Sequence, residues 1–275
     1  MHRSPFIVRG CRRASSSSTR RLHTAKPLPY DPAKGLGDFL PPEALKVVGV
    51  EYQKGLLDRL NDEVRGTEMS NMSITQTLIS SAPDRTRVLA FNYASLALNN
   101  HFFLTNLLPP NPPHPSHQHL LSPTLAQEIR TQHGSLAQLK SSFSAAATGL
   151  FTSGYVWFVT DAAGNTGVVP TFGPGSVLVR SQMYMGYLKG LGGRVGRESG
   201  GGGIGEGPDV GPGEVLKGTY GRGDTLYPLF CLSVHEHAWL SAGYGVWGKE
   251  QWVRAFWDVV DWGKVSRAYE YFKVN

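Results

Sequence analysis

Two short segments of this 275-residue chain carry side chains that could hold a metal ion. Residues 233–239 read S-V-H-E-H-A-W, and residues 91–106 read FNYASLALNNHFFLTN. A catalytic metal centre needs several nitrogen and oxygen donors fixed around the ion, with one position left open. His101 and His237 supply two imidazoles, which alone would bind a divalent ion weakly. No carboxylate is well placed to offset the ion's charge. Glu236 adjoins His237, but neighbours in a chain usually point apart, and Glu43 or Glu51 would reach the site only after a register shift. His114, His117 and His119 form a second histidine group in the stretch PPNPPHPSHQH, which reads as a solvated loop rather than a metal tract. The Gly-rich stretch 190–223 lacks the spacing of a phosphate-binding or dinucleotide-binding loop.

Local pattern indicates the elements that must position these residues. Residues 40–64 predict a helix entered through Pro41 and Pro42, where missing N–H groups cost nothing. Residues 84–107 predict a second helix, bounded by Ser81-Ala82-Pro83 and by the Pro-rich exit from Pro109. It is apolar on most sides through its middle, which calls for burial between other helices. These two make an antiparallel hairpin spanning 27–108, followed by a Pro/His-rich linker at 109–121. Ser122-Pro123 opens another helix, and one more follows the Gly134-Ser135 break. The run SGYVWFVT (153–160), the turn at 161–165 and the return at 166–171 predict a β-hairpin. A third strand is expected at 225–232 and two closing helices at 249–260 and 263–272. The stretch 190–223 reads as an insertion within a domain covering 122–275, too poor in apolar residues to offset its ordering entropy.

The formal charge of +6 is unevenly placed. Residues 1–23 hold Arg3, Arg9, Arg12, Arg13, Arg20 and Arg21, a run of serines and no acid, which is the composition of a mitochondrial presequence. Cleavage near residues 21–24 would leave 21 basic against 21 acidic residues, so any RNA contact must come from local patches. Cys11 would leave with the presequence, and Cys231, in the apolar run LYPLFCL, reads as a buried small hydrophobe. No stretch approaches the ~18–20 apolar residues of a membrane-crossing helix, and no membrane partner is expected.

The two metal-capable segments resemble the signatures of iron/manganese superoxide dismutases. In that family the late segment runs D-x-W-E-H-A, with its Asp and His both ligands, and the earlier one runs F-N-x-A-x-x-x-x-N-H-x-F, with its His a third. Taking Asn100-His101 as the N-H pair, the ligand positions fall on His101, Ser233 and His237; aligning residues 40–61 puts the fourth on Val48. The family's active-site glutamine falls on Ala97 or Phe151, and its gateway tyrosine on Leu56. The resemblance implies an α+β fold, a helical hairpin followed by an α/β domain with a three-stranded antiparallel sheet. It also implies a pocket filled in as ordinary core, with His101 and His237 as buried, hydrogen-bonded histidines, no cofactor and no catalysis.

A ligand-deficient relative with a mitochondrial presequence resembles the dismutase-like small-subunit proteins of fungal mitochondrial ribosomes. That resemblance implies a matrix-located structural role in mitochondrial translation, with small-subunit rRNA and ribosomal proteins as partners and a dismutase-like paralogue as a pairing subunit. Glu236, His237 and Trp239 are the expected subunit contacts, and Lys189, Arg194 and Arg197 at the edge of the Gly-rich insertion the expected RNA contacts. The alternatives are an active dismutase with rearranged ligands and a free matrix pseudoenzyme.

Overall fold

The computed structural model describes residues 23–111, 114, 116–178 and 225–274. The expected presequence up to residue 22 and the whole Gly-rich stretch 190–223, with Lys189, Arg194 and Arg197, lie outside the described residues. A continuous helical run begins with α1 (Pro42–Leu45), passes through a π-helical stretch (Lys46–Glu51) and continues as α2 (Tyr52–Val64). Sequence pattern missed α3 (Ile74–Ser81), although its start is marked by a capping box: Ser73 accepts from the Gln76 N–H, and the Gln76 side chain accepts from the Ser73 N–H. Then comes α4 (Val88–Thr105), whose apolar faces are covered on two sides, by α2 and by α3. Its register against α2 is antiparallel: Leu60 and Val64 pack with Ala90 and Ala94, Leu56 and Leu57 with Ala97, and Val48 meets Asn100.

Helices α5 (Pro123–His133) and α6 (Leu136–Gly149) lead to β1 (Gly154–Thr160), β2 (Thr166–Phe172) and β3 (Tyr227–Ser233). The sheet is antiparallel in the order β2-β1-β3, so the fully buried, aromatic and β-branched β1 is central. Tyr155 pairs with Ser233 and with Thr171 on the two sides. Gly154 must be glycine, because a Cβ there would stand 2.0 Å from the Thr171 carbonyl oxygen. After β3 come α7 (Glu236–Ser241), α8 (Lys249–Val259) and α9 (Trp262–Val274).

The main core lies between the sheet and α6, α8 and α9, and it is built on aromatic rings. Phe143 stacks on Phe256, and Phe39 stacks on Trp252 with centroids 3.9 Å apart. Two backbone bonds tie the end of α4 to the α8–α9 junction: Leu108 N–H to the Val259 carbonyl (2.7 Å) and Asp261 N–H to the Asn106 carbonyl (3.0 Å). These bonds fix the hairpin against the sheet half.

Within the Pro-rich linker, His117 is not solvated as a loop reading would have it. Its ring is buried, with Nε2 3.3 Å from the Leu108 carbonyl oxygen, while His114 and His119 are exposed and lie with ring centroids 4.3 Å apart.

Candidate functional site

The π-helical stretch around Val48 is where the hairpin faces the start of α7. A π-turn shifts the hydrogen-bond ladder and frees a carbonyl, and here the Val48 carbonyl accepts from Asn100 Nδ2 at 3.0 Å. Asn100 Nδ2 also donates to Gln53 Oε1 (2.9 Å), and Gln53 Nε2 donates to the Ala97 carbonyl (3.0 Å). Val48, Gln53, Ala97 and Asn100 are all buried. This closed network holds α2 and α4 together at the depth where the family places its ligands.

His101 is not part of it. On a helix, successive side chains point about 100° apart, and with Asn100 turned inward His101 is only half-buried. Burial, then the charges of Lys26 and Lys264, lower its pKa. The family pattern can be counted from its Asn-His pair or from its Phe-Asn start, and the two counts differ by one. Counted from Phe91-Asn92, the ligand position falls on Asn100, the residue whose amide reaches the Val48 carbonyl. We therefore correct the assignment of His101. The sequence signal was present: two asparagines in the middle of an apolar helix need buried hydrogen-bond partners.

On the sheet side, Ser233 ends β3, buried, with its carbonyl accepting from Trp252 Nε1 at 2.9 Å. The Ser233 hydroxyl lies beside the phenol of its cross-strand partner Tyr155, yet that phenol oxygen completes no hydrogen bond among the described residues. Nor does the buried His235 Nε2. The His235 ring packs edge-on to Tyr155 (centroids 5.0 Å) and lies 5.4 Å from His237, whose ring meets Tyr52 at 4.3 Å. Burial first, and the His237 charge second, push the His235 pKa down to about 4. Burial also lowers His237, raises Tyr52 to about 12 and lifts Tyr155 well above the usual phenol range. At neutral pH the cluster holds uncharged imidazoles and undissociated phenols.

His237 is half-buried and makes no hydrogen bond among the described residues, against the expectation of a buried, bonded ring. Glu236 is exposed, its field acting on Lys249. Glu51 is exposed on the far side of the π-turn and pairs with Lys46 at 3.8 Å. Trp239, expected at a subunit surface, is instead 5 % exposed and belongs to the core, with Lys249 Nζ 5.8 Å from its ring centre. Leu56 and Ala97 are core, as a filled pocket requires, but Phe151 is 97 % exposed. Among the described residues no three His, Cys, Asp or Glu side chains gather as a metal-holding group. The side chains present do not fit a redox iron or manganese ion, which needs anionic and imidazole donors together.

Over residues 121–184 and 217–268 the chain matches the sequence profile of the iron/manganese superoxide dismutase carboxy-terminal domain. That match covers β1, β3, α7 and α8, the elements that carry Tyr155, Ser233, His235 and His237. Over these residues the chain is similar to the superoxide dismutase family. Its similarities divide by length. It is 23 % identical over 229 residues to small ribosomal subunit protein mS43 of Schizosaccharomyces pombe, covering 82 % of this chain and 77 % of that one. Against small ribosomal subunit protein mS42 of the same organism it is 23 % identical over 223 residues, 78 % of this chain and 86 % of the other. An iron superoxide dismutase of Leptolyngbya boryana is 32 % identical, over 143 residues that make up 50 % of this chain and 66 % of the relative. The dismutase-like chain thus resembles the dismutase over a shorter stretch than it resembles the two ribosomal proteins.

Proposed function

We propose that this chain is a structural component of the mitochondrial small ribosomal subunit, built on a superoxide dismutase-like fold without catalytic activity. The observation that carries the reading is the conversion of the hairpin's ligand positions into a closed Val48–Gln53–Asn100 network, in a chain whose similarity to mS43 and mS42 runs through most of its length. On its hairpin side the pocket is sealed by neutral, mutually satisfied groups, which supports packing there in place of metal coordination. The acid-free, Arg-rich residues 1–23 support import into the mitochondrial matrix.

Within that role, pairing with a second dismutase-like subunit is the finer proposal. Lys249 Nζ donates to the Leu150 and Thr148 carbonyls, which brings the start of α8 beside Phe151. Phe151 and Trp247 are 97 % and 95 % exposed, and Val246 and Leu240 are exposed as well. Large exposed apolar groups gathered around one contact mark a protein-binding face, and Glu236 lies on its margin through Lys249.

Fractionation of mitochondrial lysate on a sucrose gradient tests the role. The protein is expected in the small-subunit fractions, and Trp247→Ser with Phe151→Ser is expected to reduce its recovery there. Wild-type protein that stays at the top of a low-salt, magnesium-containing gradient would transfer the reading to a free matrix pseudoenzyme.

A further inference from the structure

The amino-terminal segment, the end of α4 and the start of α9 meet at His101. Tyr30 Oη donates to the Leu104 carbonyl at 2.8 Å, and Asn61 exchanges two 2.9 Å hydrogen bonds with the His23 backbone, so residues 23–30 are pinned across the hairpin. Lys26 projects from that segment, exposed. From the other side, Lys264 Nζ donates to the Thr105 carbonyl at 2.6 Å, one helical turn beyond His101 and therefore on the same face. Arg267 follows three residues later on α9, exposed, with Nη1 3.4 Å from where a Cβ on Gly263 would be.

We propose that Lys26, Lys264 and Arg267, gathered around His101, form a docking patch for the phosphate backbone of ribosomal RNA. The inference rests on the ribosomal reading above and names the surface that serves it. None of the three cations makes an ion pair among the described residues, whereas Lys46, Lys54, Arg65, Arg87 and Lys273 each do. Two acids stand nearby: Asp261, whose Oδ1 accepts the Lys264 backbone N–H at 2.9 Å and whose charge acts on Lys264 against that of Arg267, and Asp58, which is paired with Lys54. Two ammonium groups held beside one imidazole raise the local potential, and an anion relieves that repulsion. An Arg fork with point-charge lysines suits phosphate oxygens. The apolar anchors that a protein partner would want, Phe151, Val246 and Trp247, belong instead to the surface around Lys249.

The test uses the full-length protein expressed in cells that assemble mitochondrial ribosomes. Lys26→Glu with Arg267→Glu is compared with Arg65→Glu with Arg85→Glu, which changes net charge equally but lies at the opposite end of the hairpin, after α2 and before α4. Small subunits are washed at increasing salt, and photo-cross-linking reads what lies against residues 26 and 267. Each phosphate contact contributes about one unit to the salt slope. The patch reversal is expected to lower retention about tenfold at moderate salt and to abolish the RNA cross-link, while the control is retained like the wild type. Both variants should unfold at the wild-type temperature, since the substituted side chains are exposed. Equal retention of all three proteins would overturn the patch while leaving the ribosomal reading intact. A cross-link to protein instead of RNA would also overturn it. Wild type absent from the subunit would overturn both.

Discussion

The helical hairpin and the sheet half line opposite sides of the pocket that the family uses for metal, and they have met its loss in different ways. On the hairpin side the gap around Val48 is closed by hydrogen bonds: Asn100 serves the Val48 carbonyl and Gln53, and Gln53 serves Ala97. On the sheet side the polar groups persist without partners, with Tyr155 Oη and His235 Nε2 buried and unpaired and Ser233 too short to replace a carboxylate. The match to the dismutase carboxy-terminal domain profile lies on the sheet half. A binding site therefore need not decay uniformly. Where two helices can exchange backbone and amide hydrogen bonds, the gap closes; where a rigid strand fixes the side-chain directions, unsatisfied groups remain.

The largest expected effect comes from reversing the hairpin's repair. Val48→His, Asn100→His and Ser233→Asp, with the existing His237, should rebuild a site that loads about one manganese or iron per chain. Val48→His with Ser233→Asp alone should load far less, because His101 faces Lys26 and Lys264 instead. Elemental analysis of the two purified variants decides it, and equal loading would restore His101 as the ligand position.

Next comes acid sensitivity on the sheet side. His235 has a folded-state pKa of about 4 against the ordinary 6.5, so it is neutral in both states above pH 6.5. As pH falls, the unfolded chain takes up its proton first, and stability is lost between pH 6.5 and 4, by about 3 kcal/mol. His101, His133 and His237 are lowered too and push the same way. Unfolding temperature measured across that window should fall steeply in the wild type and less in His235→Phe; parallel curves would show that His235 is solvated.

Two single substitutions then set the halves side by side. Asn100→Ala strands a buried carbonyl and a buried amide oxygen and should cost about 2 kcal/mol. Tyr155→Phe removes a hydroxyl that completes no hydrogen bond and should be neutral or stabilise by up to about 1 kcal/mol. Urea titrations of both proteins test this contrast, which fails if Tyr155→Phe proves the more damaging.

Much of this was legible in the sequence. Periodicity and turn residues located the hairpin helices and the three strands, because the apolar runs of β1 and α4 leave few other ways to be buried. The substitutions at Val48 and Ser233 could be read from motif alone. What could not be read was direction. A one-residue ambiguity at Asn99-Asn100-His101 rotates a side chain from the interior to the surface, and the π-turn at Val48 sets which of the three meets it. For the same reason the burial of Trp239 and the exposure of Phe151 and Trp247 escaped a reading by residue type, since both classes are apolar. The capping box at Ser73 was visible and marks a helix that a search for long apolar periods passes over.

The central claim is that a dismutase fold persists here without the dismutase centre, and metal content tests it most directly. The mature protein, purified from mitochondria without chelators, should contain far less than one equivalent of iron plus manganese and should not dismutate superoxide. About one equivalent per chain, with turnover that chelation abolishes, would contradict the account.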